Sequence, residues 1–298
     1  MTVADAFVRV GGVPHHVVVE GGGPACVLSA GLGMAWFDWD PVVPLLTPHR
    51  TVVRFDRPGH GLSGPAAVPP SAAGEACRIA ALLDAVGLRE PAVVAGHSIA
   101  GFHAEAFARL HPDRTAGLVL VDSSVEETVR TPAAPAVRTV LARGIGAALT
   151  AVGAPAALGP AARRAAVRLS RTGGGDPAPY PLVRRCYGAS RVTRGILLEN
   201  AHYRAVAAEL LALRDDRPLP RGLPVAVLAA GADARWTGRQ RALARLLGAV
   251  RFEPVEQSGH LMTLDCPRTV ARAILETGDP GNGRPSKRGA LSGPRPLS

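Results

Sequence analysis

Ser98 stands in Val93-Val94-Ala95-Gly96-His97-Ser98-Ile99-Ala100-Gly101, where a β-branched run breaks at a small residue and continues as an Ala-rich amphipathic segment. This pattern reads as strand, sharp turn and helix, with a hydroxyl at the apex beside the free N–H groups of a helix start. A serine hydroxyl is a useful nucleophile only when a base takes its proton and an acid orients that base. His260, in Glu256-Gln257-Ser258-Gly259-His260, follows an expected strand and a glycine and precedes the last helix. A loop histidine so placed can reach the sheet edge where Ser98 stands. Asp233, just past the apolar run Val225–Ala229, is the preferred acid, which makes the chain order Ser98, Asp233, His260. Asp122, which also ends a strand, is the alternative acid. A developing oxyanion needs backbone N–H donors. The expected donors are Ile99 and Leu32, the latter in Ser29-Ala30-Gly31-Leu32-Gly33, with Gly33 a close alternative. Trp36 is weighed evenly between substrate contact and packing, and Trp39 is assigned to packing.

The elements that must position these groups alternate. Phe7–Val10 and His15–Glu20 flank a Gly-Gly-Val-Pro turn and read as a hairpin. Ala25–Ser29, Thr51–Phe55, Val93–Gly96 and Ala116–Val121 read as strands, with helices expected over Trp36–Leu46, Ala72–Val86 and Ser98–Leu110. Such alternation implies an α/β fold: a mostly parallel, doubly wound sheet. It stops after Val121 and resumes at Val225, with a helix near Gly238–Leu247, a strand at Ala249–Pro254 and a helix at Pro267–Glu276. Residues 1–123 and 218–277 are therefore assigned to the core, 124–217 to an inserted helical cap, and 278–298 to a disordered tail.

Several stretches together resemble the α/β-hydrolase fold family. They are the serine elbow, Phe55-Asp56-Arg57-Pro58-Gly59-His60-Gly61-Leu62-Ser63, His111-Pro112-Asp113-Arg114 with the following strand to Asp122, and Gly259-His260 with Asp265-Cys266-Pro267. The resemblance spans roughly residues 6–276. It departs from the family's G-x-S-x-G elbow at Ala100, with Gly101 next to it, and lacks the common His-Gly before the oxyanion loop. What it implies is a serine hydrolase acting on a carboxylic ester or related acyl substrate through an acyl-enzyme. A serine at the nucleophile position excludes the branches that use aspartate there, the haloalkane dehalogenases and epoxide hydrolases. The alternatives are a non-hydrolytic enzyme on this fold (a lyase, cyclase or cofactor-free peroxidase) and a non-catalytic ligand-binding protein.

Composition narrows the remaining classes. The 47% hydrophobic and 19% charged content is that of a folded globular chain. The net charge of +10 is carried almost wholly by arginine that reads as scattered, so nucleic acid is not expected as a partner. The N-terminus shows no secretory pattern and no stretch suits a membrane span, so cytoplasmic location without stable membrane insertion is the expectation. Four separated cysteines and the histidine spacing suggest no metal and no cofactor. The expected partner is a small acyl substrate, apolar to match the Ala-, Leu- and Val-rich cap. Substrate identity and oligomeric state stay open.

Overall fold

The computed structural model describes residues 4–128 and 134–278. Eight strands form one sheet in the order β1-β2-β4-β3-β5-β6-β7-β8. β1 (Ala4–Val10) and β2 (Val13–Gly21) form the expected hairpin, which pairs antiparallel to β4 (Thr51–Phe55). β3 (Ala25–Ser29), β4, β5 (Ala92–His97), β6 (Thr115–Val121), β7 (Val225–Ala230) and β8 (Arg251–Val255) run parallel. The central strands are buried on both faces, which is why β5, β6 and β7 read as near-continuous apolar runs.

Helices cover both faces. α2 (Ala72–Ala85), α3 (Ala100–Leu110) and α8 (Ala234–Leu246) close one core around Ile79, Phe107 and Leu118. α1 (Val43–Leu46), α9 (Met262–Asp265) and α10 (Pro267–Thr277) close the other around Leu28, Trp39 and Ile274. The helix expected over Trp36–Leu46 is instead a 3₁₀ turn, Trp36–Trp39, followed by the short α1. Pro41 and Pro44 lack the N–H donors that a continuous helix needs. α8 begins four residues earlier than Gly238, the start the sequence suggests, and that shift bears on the acid.

Between β6 and β7 the chain forms α4 (Pro135–Ala151), α5 (Ala154–Ser170), α6 (Tyr180–Tyr187) and α7 (Ser190–Asp216). These helices lie over the sheet edge at which β5, β6 and β7 end. Residues 279–298, most of the segment assigned to a disordered tail, lie outside the described residues. Among the described residues no single helix is long and apolar enough to cross a membrane.

His103 on α3 is fully buried, and neither ring nitrogen has a hydrogen-bond partner among the described residues. Burial pushes its pKa down from 6.5 to about 4. The unfolded chain therefore takes up a proton below about pH 6.5 that the folded chain refuses until about pH 4. Stability falls as pH drops through that window, because the unfolded state binds more protons there. His103→Leu removes both the unpaired nitrogens and the titration. Its melting temperature should exceed that of the wild type, by a larger margin near pH 5 than near pH 8. Thermal melts at the two pH values check this, and an equal margin at both would refute the role given to the ring.

Candidate active site

Strand register brings the chemistry together. His97, the last residue of β5, lies beside Val121 at the end of β6, and Val121 lies beside Leu228 in β7. One step further, the Ser98 N–H donates to the Val121 carbonyl at 3.2 Å, and the Asp122 N–H donates to the Leu228 carbonyl at 2.8 Å. Ser98 and Asp122 thus emerge from adjacent strand ends. Both have left-handed backbones, φ +55° and +41°, which non-glycine residues adopt only when surrounding contacts hold them there.

The turn at Ser98 is tight on both sides. A Cβ at Gly96 would collide with the Ala100 carbonyl, and one at Gly101 with the Ser123 side chain. The close approach on the helical side therefore falls at Gly101. Ala100 is buried and its methyl is accommodated, which explains how the elbow forms despite the departure from G-x-S-x-G.

His260 Nδ1 lies 2.6 Å from Asp122 Oδ2. The other carboxylate oxygen, Oδ1, accepts the Ala230 N–H at 2.8 Å and the Trp236 indole N–H at 2.6 Å. Asp122 is buried and its carboxylate is held by three donors. The structure thus places His260 against Asp122, the alternative acid, and not against Asp233, the acid preferred from the sequence. Asp233 is exposed and caps α8, its Oδ1 accepting the N–H groups of Arg235 at 2.8 Å and Trp236 at 3.2 Å. An aspartate directly before a helix is the usual N-cap signal. That signal was hidden because the helix appeared to start at Gly238.

A carboxylate only accepts, so a proton of the His260 ring lies on Nδ1. His97 braces the same loop, its Nε2 lying 2.8 Å from the His260 carbonyl oxygen. A carbonyl only accepts, so Nε2 of His97 carries the proton. Burial pushes the His97 pKa down to about 3, so this second imidazole stays uncharged beside His260.

Ser98 and His260 line one cavity of about 510 Å³ with Leu32, Gly33, Val167 and Ile196. Among the described residues the N–H groups of Leu32, Gly33 and Ile99 donate to no protein acceptor. Trp36 does not line this cavity. It is buried between His16 and Phe37, with ring centroids 4.3 and 4.9 Å away, and its role is packing. The bulk of neighbouring aromatic and apolar groups decides this, and its position in the chain could not.

A buried pair missed by the sequence reading supports the loop that follows β3. Arg57 donates from Nη1 to the Ala30 carbonyl and from Nη2 to the Gly31 carbonyl, the latter at 2.9 Å. It also makes a bidentate pair with Glu199 of α7, at 2.8 and 3.0 Å. Burial alone would raise the Glu199 pKa. The Arg57 guanidinium and His60 overcome that and hold the carboxyl well below the usual carboxylate range. Because 142 residues separate the partners, no local pattern announces the pair. Among the described residues no three His, Cys, Asp or Glu side chains gather closely enough to hold a metal ion.

Comparison with known proteins identifies the fold and the family. The protein described as "Putative carbamate hydrolase RutD" from Azorhizobium caulinodans is 36% identical over 104 residues, 35% of this chain and 39% of that protein. The match thus spans about two fifths of that relative's length. The crystal structure of Cfl2 from Burkholderia cenocepacia superposes with a TM-score of 0.71 at 23% identity, over 91% of this chain and 94% of that one. The enol-lactonase from Burkholderia xenovorans LB400 superposes with a TM-score of 0.65 at 21% identity, over 91% and 99%. At those identities the likeness is one of fold. The profile of the alpha/beta hydrolase family matches residues 26–273, and the chain belongs to the α/β-hydrolase family.

Proposed function

We propose that the protein is a serine hydrolase that cleaves apolar carboxylic esters through Ser98, His260 and Asp122. The observation that carries this is the 2.6 Å contact between His260 Nδ1 and the buried Asp122 carboxylate, in a loop that shares one cavity with Ser98. In the proposed reaction Ser98 Oγ attacks the acyl carbon and His260 Nε2 takes the hydroxyl proton. The Asp122 carboxylate stabilises the imidazolium that results. The carbonyl oxygen, now an anion, accepts from the N–H groups of Ile99 and Leu32. His260 returns the proton to the departing alcohol, leaving an acyl-serine. A water, deprotonated by the same nitrogen, then releases the acid and restores Ser98.

The cavity argues for the substrate class. Its volume suits a small organic ligand, and Leu32, Met34, Val167, Val192 and Ile196 give it an apolar wall. An acyl chain of several carbons fills such a space better than a compact polar group. Carbamates, suggested by the name of the partly matching relatives, therefore serve as the comparison substrates.

A fluorophosphonate probe should label the wild-type protein and fail to label Ser98→Ala. Nitrophenyl esters of increasing acyl length should show kcat/KM rising to an optimum beyond acetate, with carbamates turned over more slowly. A wild-type protein that neither labels nor hydrolyses any ester, or a Ser98→Ala variant that labels equally, would refute the proposal.

A further inference from the structure

The cap carries charge and apolar surface in an unusual arrangement. Between Ala134 and Leu198, which covers α4, α5, α6 and the start of α7, the sequence has ten arginines and one carboxylate, Asp176, against a net charge of +10 for the whole chain. The rest of α7 adds two arginines and four carboxylates, so the excess of positive charge lies over α4, α5, α6 and the start of α7. The one acid is used internally, as Asp176 pairs with the buried Arg163 at 3.1 Å. Six other arginines, Arg143, Arg164, Arg168, Arg184, Arg185 and Arg194, are exposed, and among the described residues none of them makes an ion pair.

α4 turns its amphipathic pattern inside out. It packs on the rest of the protein through small residues, Ala142 and Gly146, and a Cβ at Gly146 would meet Arg194 of α7. Val137, Val140, Leu141, Ile145 and Val152 are each more than half exposed. At 100° per residue these five fall on one stripe, bordered by Arg138 on one side and Arg143 on the other. A helix that faced only water would present polar residues there, and a run of aliphatics this long marks a contact surface. α5 continues the exposed apolar surface with Leu158 and Leu169, and bends away from α4 by 107°.

We propose that α4 and the flanking arginines of the cap dock this protein peripherally on an anionic lipid surface. An aliphatic stripe bordered by arginines is the pattern of a helix lying in the headgroup plane, with its apolar side among the acyl chains and its guanidinium groups at the phosphates. Charge selects this occupant over a second copy of the chain. Association of two copies through this face would bring the two sets of exposed arginines together, and α4, α5 and α6 carry no carboxylate to separate them. α5 also contributes Ala162, Ala166 and Ser170 to the wall of the 510 Å³ cavity, so a docked cap sets that cavity close to the lipid. The docking does not depend on the hydrolytic reading and can be tested without a substrate.

Flotation of the full-length protein with vesicles is the test. It should bind vesicles of equimolar phosphatidylcholine and phosphatidylglycerol, bind phosphatidylcholine alone at least about tenfold more weakly, and be released by salt. Leu141→Asp with Ile145→Asp should abolish binding, and Arg164→Glu or Arg168→Glu should weaken it by about fivefold or more each. These positions are exposed, so melting temperatures should stay near the wild type. Leu141→Ser with Ile145→Ser provides a milder second variant. The proposal is overturned if anionic vesicles are not bound or are bound no better than neutral ones. It is also overturned if binding survives both ridge variants, which would place it on other basic residues. A wild-type dimer in light scattering that the ridge variants dissolve would give the stripe to a second copy instead.

Discussion

Replacing Asp122 by asparagine should lower kcat on the best ester by about ten thousandfold while leaving the protein folded. The size of the effect follows from the hydrogen bonds around the carboxylate. Oδ1 accepts from Ala230 and Trp236, and Oδ2 faces His260 Nδ1. In the variant the amide oxygen keeps the first two donors, and the amide nitrogen is left facing the imidazole. That nitrogen donates, so His260 Nδ1 must accept and the ring proton moves to Nε2, the nitrogen that should take the proton of Ser98. The nucleophile loses its base although no atom has moved far. Asp233→Asn is the matched control. Asparagine caps a helix as well as aspartate does, so kcat should change by less than about twofold. Asp233→Ala should cost about 1 kcal/mol of stability, and again little activity. Steady-state kinetics on the three proteins settle the matter. Loss of turnover in Asp233→Asn with Asp122→Asn unaffected would reverse the assignment.

The second large effect is expected at Arg57. Arg57→Met leaves the buried Glu199 carboxylate with only His60 beside it, Nε2 at 3.1 Å, and breaking a pair whose partners are both about 4% exposed or less costs about 3–5 kcal/mol. It also frees the carbonyls of Ala30 and Gly31, whose peptide planes orient the Gly31 and Leu32 N–H groups. If Leu32 donates to the oxyanion, kcat should fall by about a hundredfold or more in addition to the stability loss. The double variant Arg57→Met with Glu199→Leu separates the two effects. It removes the orphaned charge and should recover much of the melting temperature while kcat stays low. Full recovery of kcat would show that the pair supports folding alone. The pair also has a pH signature. The Glu199 pKa lies below its unfolded value, so its contribution to stability is complete above about pH 4.5 and is lost as pH falls further. In the double variant this part of the acid sensitivity should be absent.

The two histidines buried near the site act in the opposite chemical sense but the same direction of pH. His97 and His103 must stay neutral in the fold, with pKa values near 3 and 4. Their cost sets in as pH falls below about 6.5, before that of Glu199. Acid instability should therefore begin well above the carboxylate range.

Much of the fold was legible in the chain because it depends on local periodicity. β3 and β4 begin and end where their apolar runs do, and β5 and β6 extend theirs by one or two residues. A strand buried on both faces must be apolar throughout, and the turns between such strands require residues that permit a reversal. The elbow was legible for the same reason, since strand, glycine, serine and helix follow one another within a few residues. What was misread at this level came from prolines at positions 41 and 44, and from α8, where Trp236, Thr237 and Gly238 follow Ala234 and Arg235 and obscure the helix start.

The identity of the acid, the role of Trp36 and the support of the oxyanion loop belong to another level. The sequence by itself determined an alternating α/β chain with an inserted helical segment, a serine at a strand–helix turn, and a late loop histidine able to reach it. It also supplied two aspartates at strand ends, and the N-cap position that separates them shows only once α8 is seen to start at Ala234. Only the tertiary structure puts Asp122, and not Asp233, against His260, because that contact depends on which strand lies beside β5. That order is set by packing across more than a hundred residues. The same holds for Arg57 with Glu199, and for the arginines and aliphatics of the cap. Along the chain they look like composition, and only the folded helices show one group buried in pairs and the other facing outward.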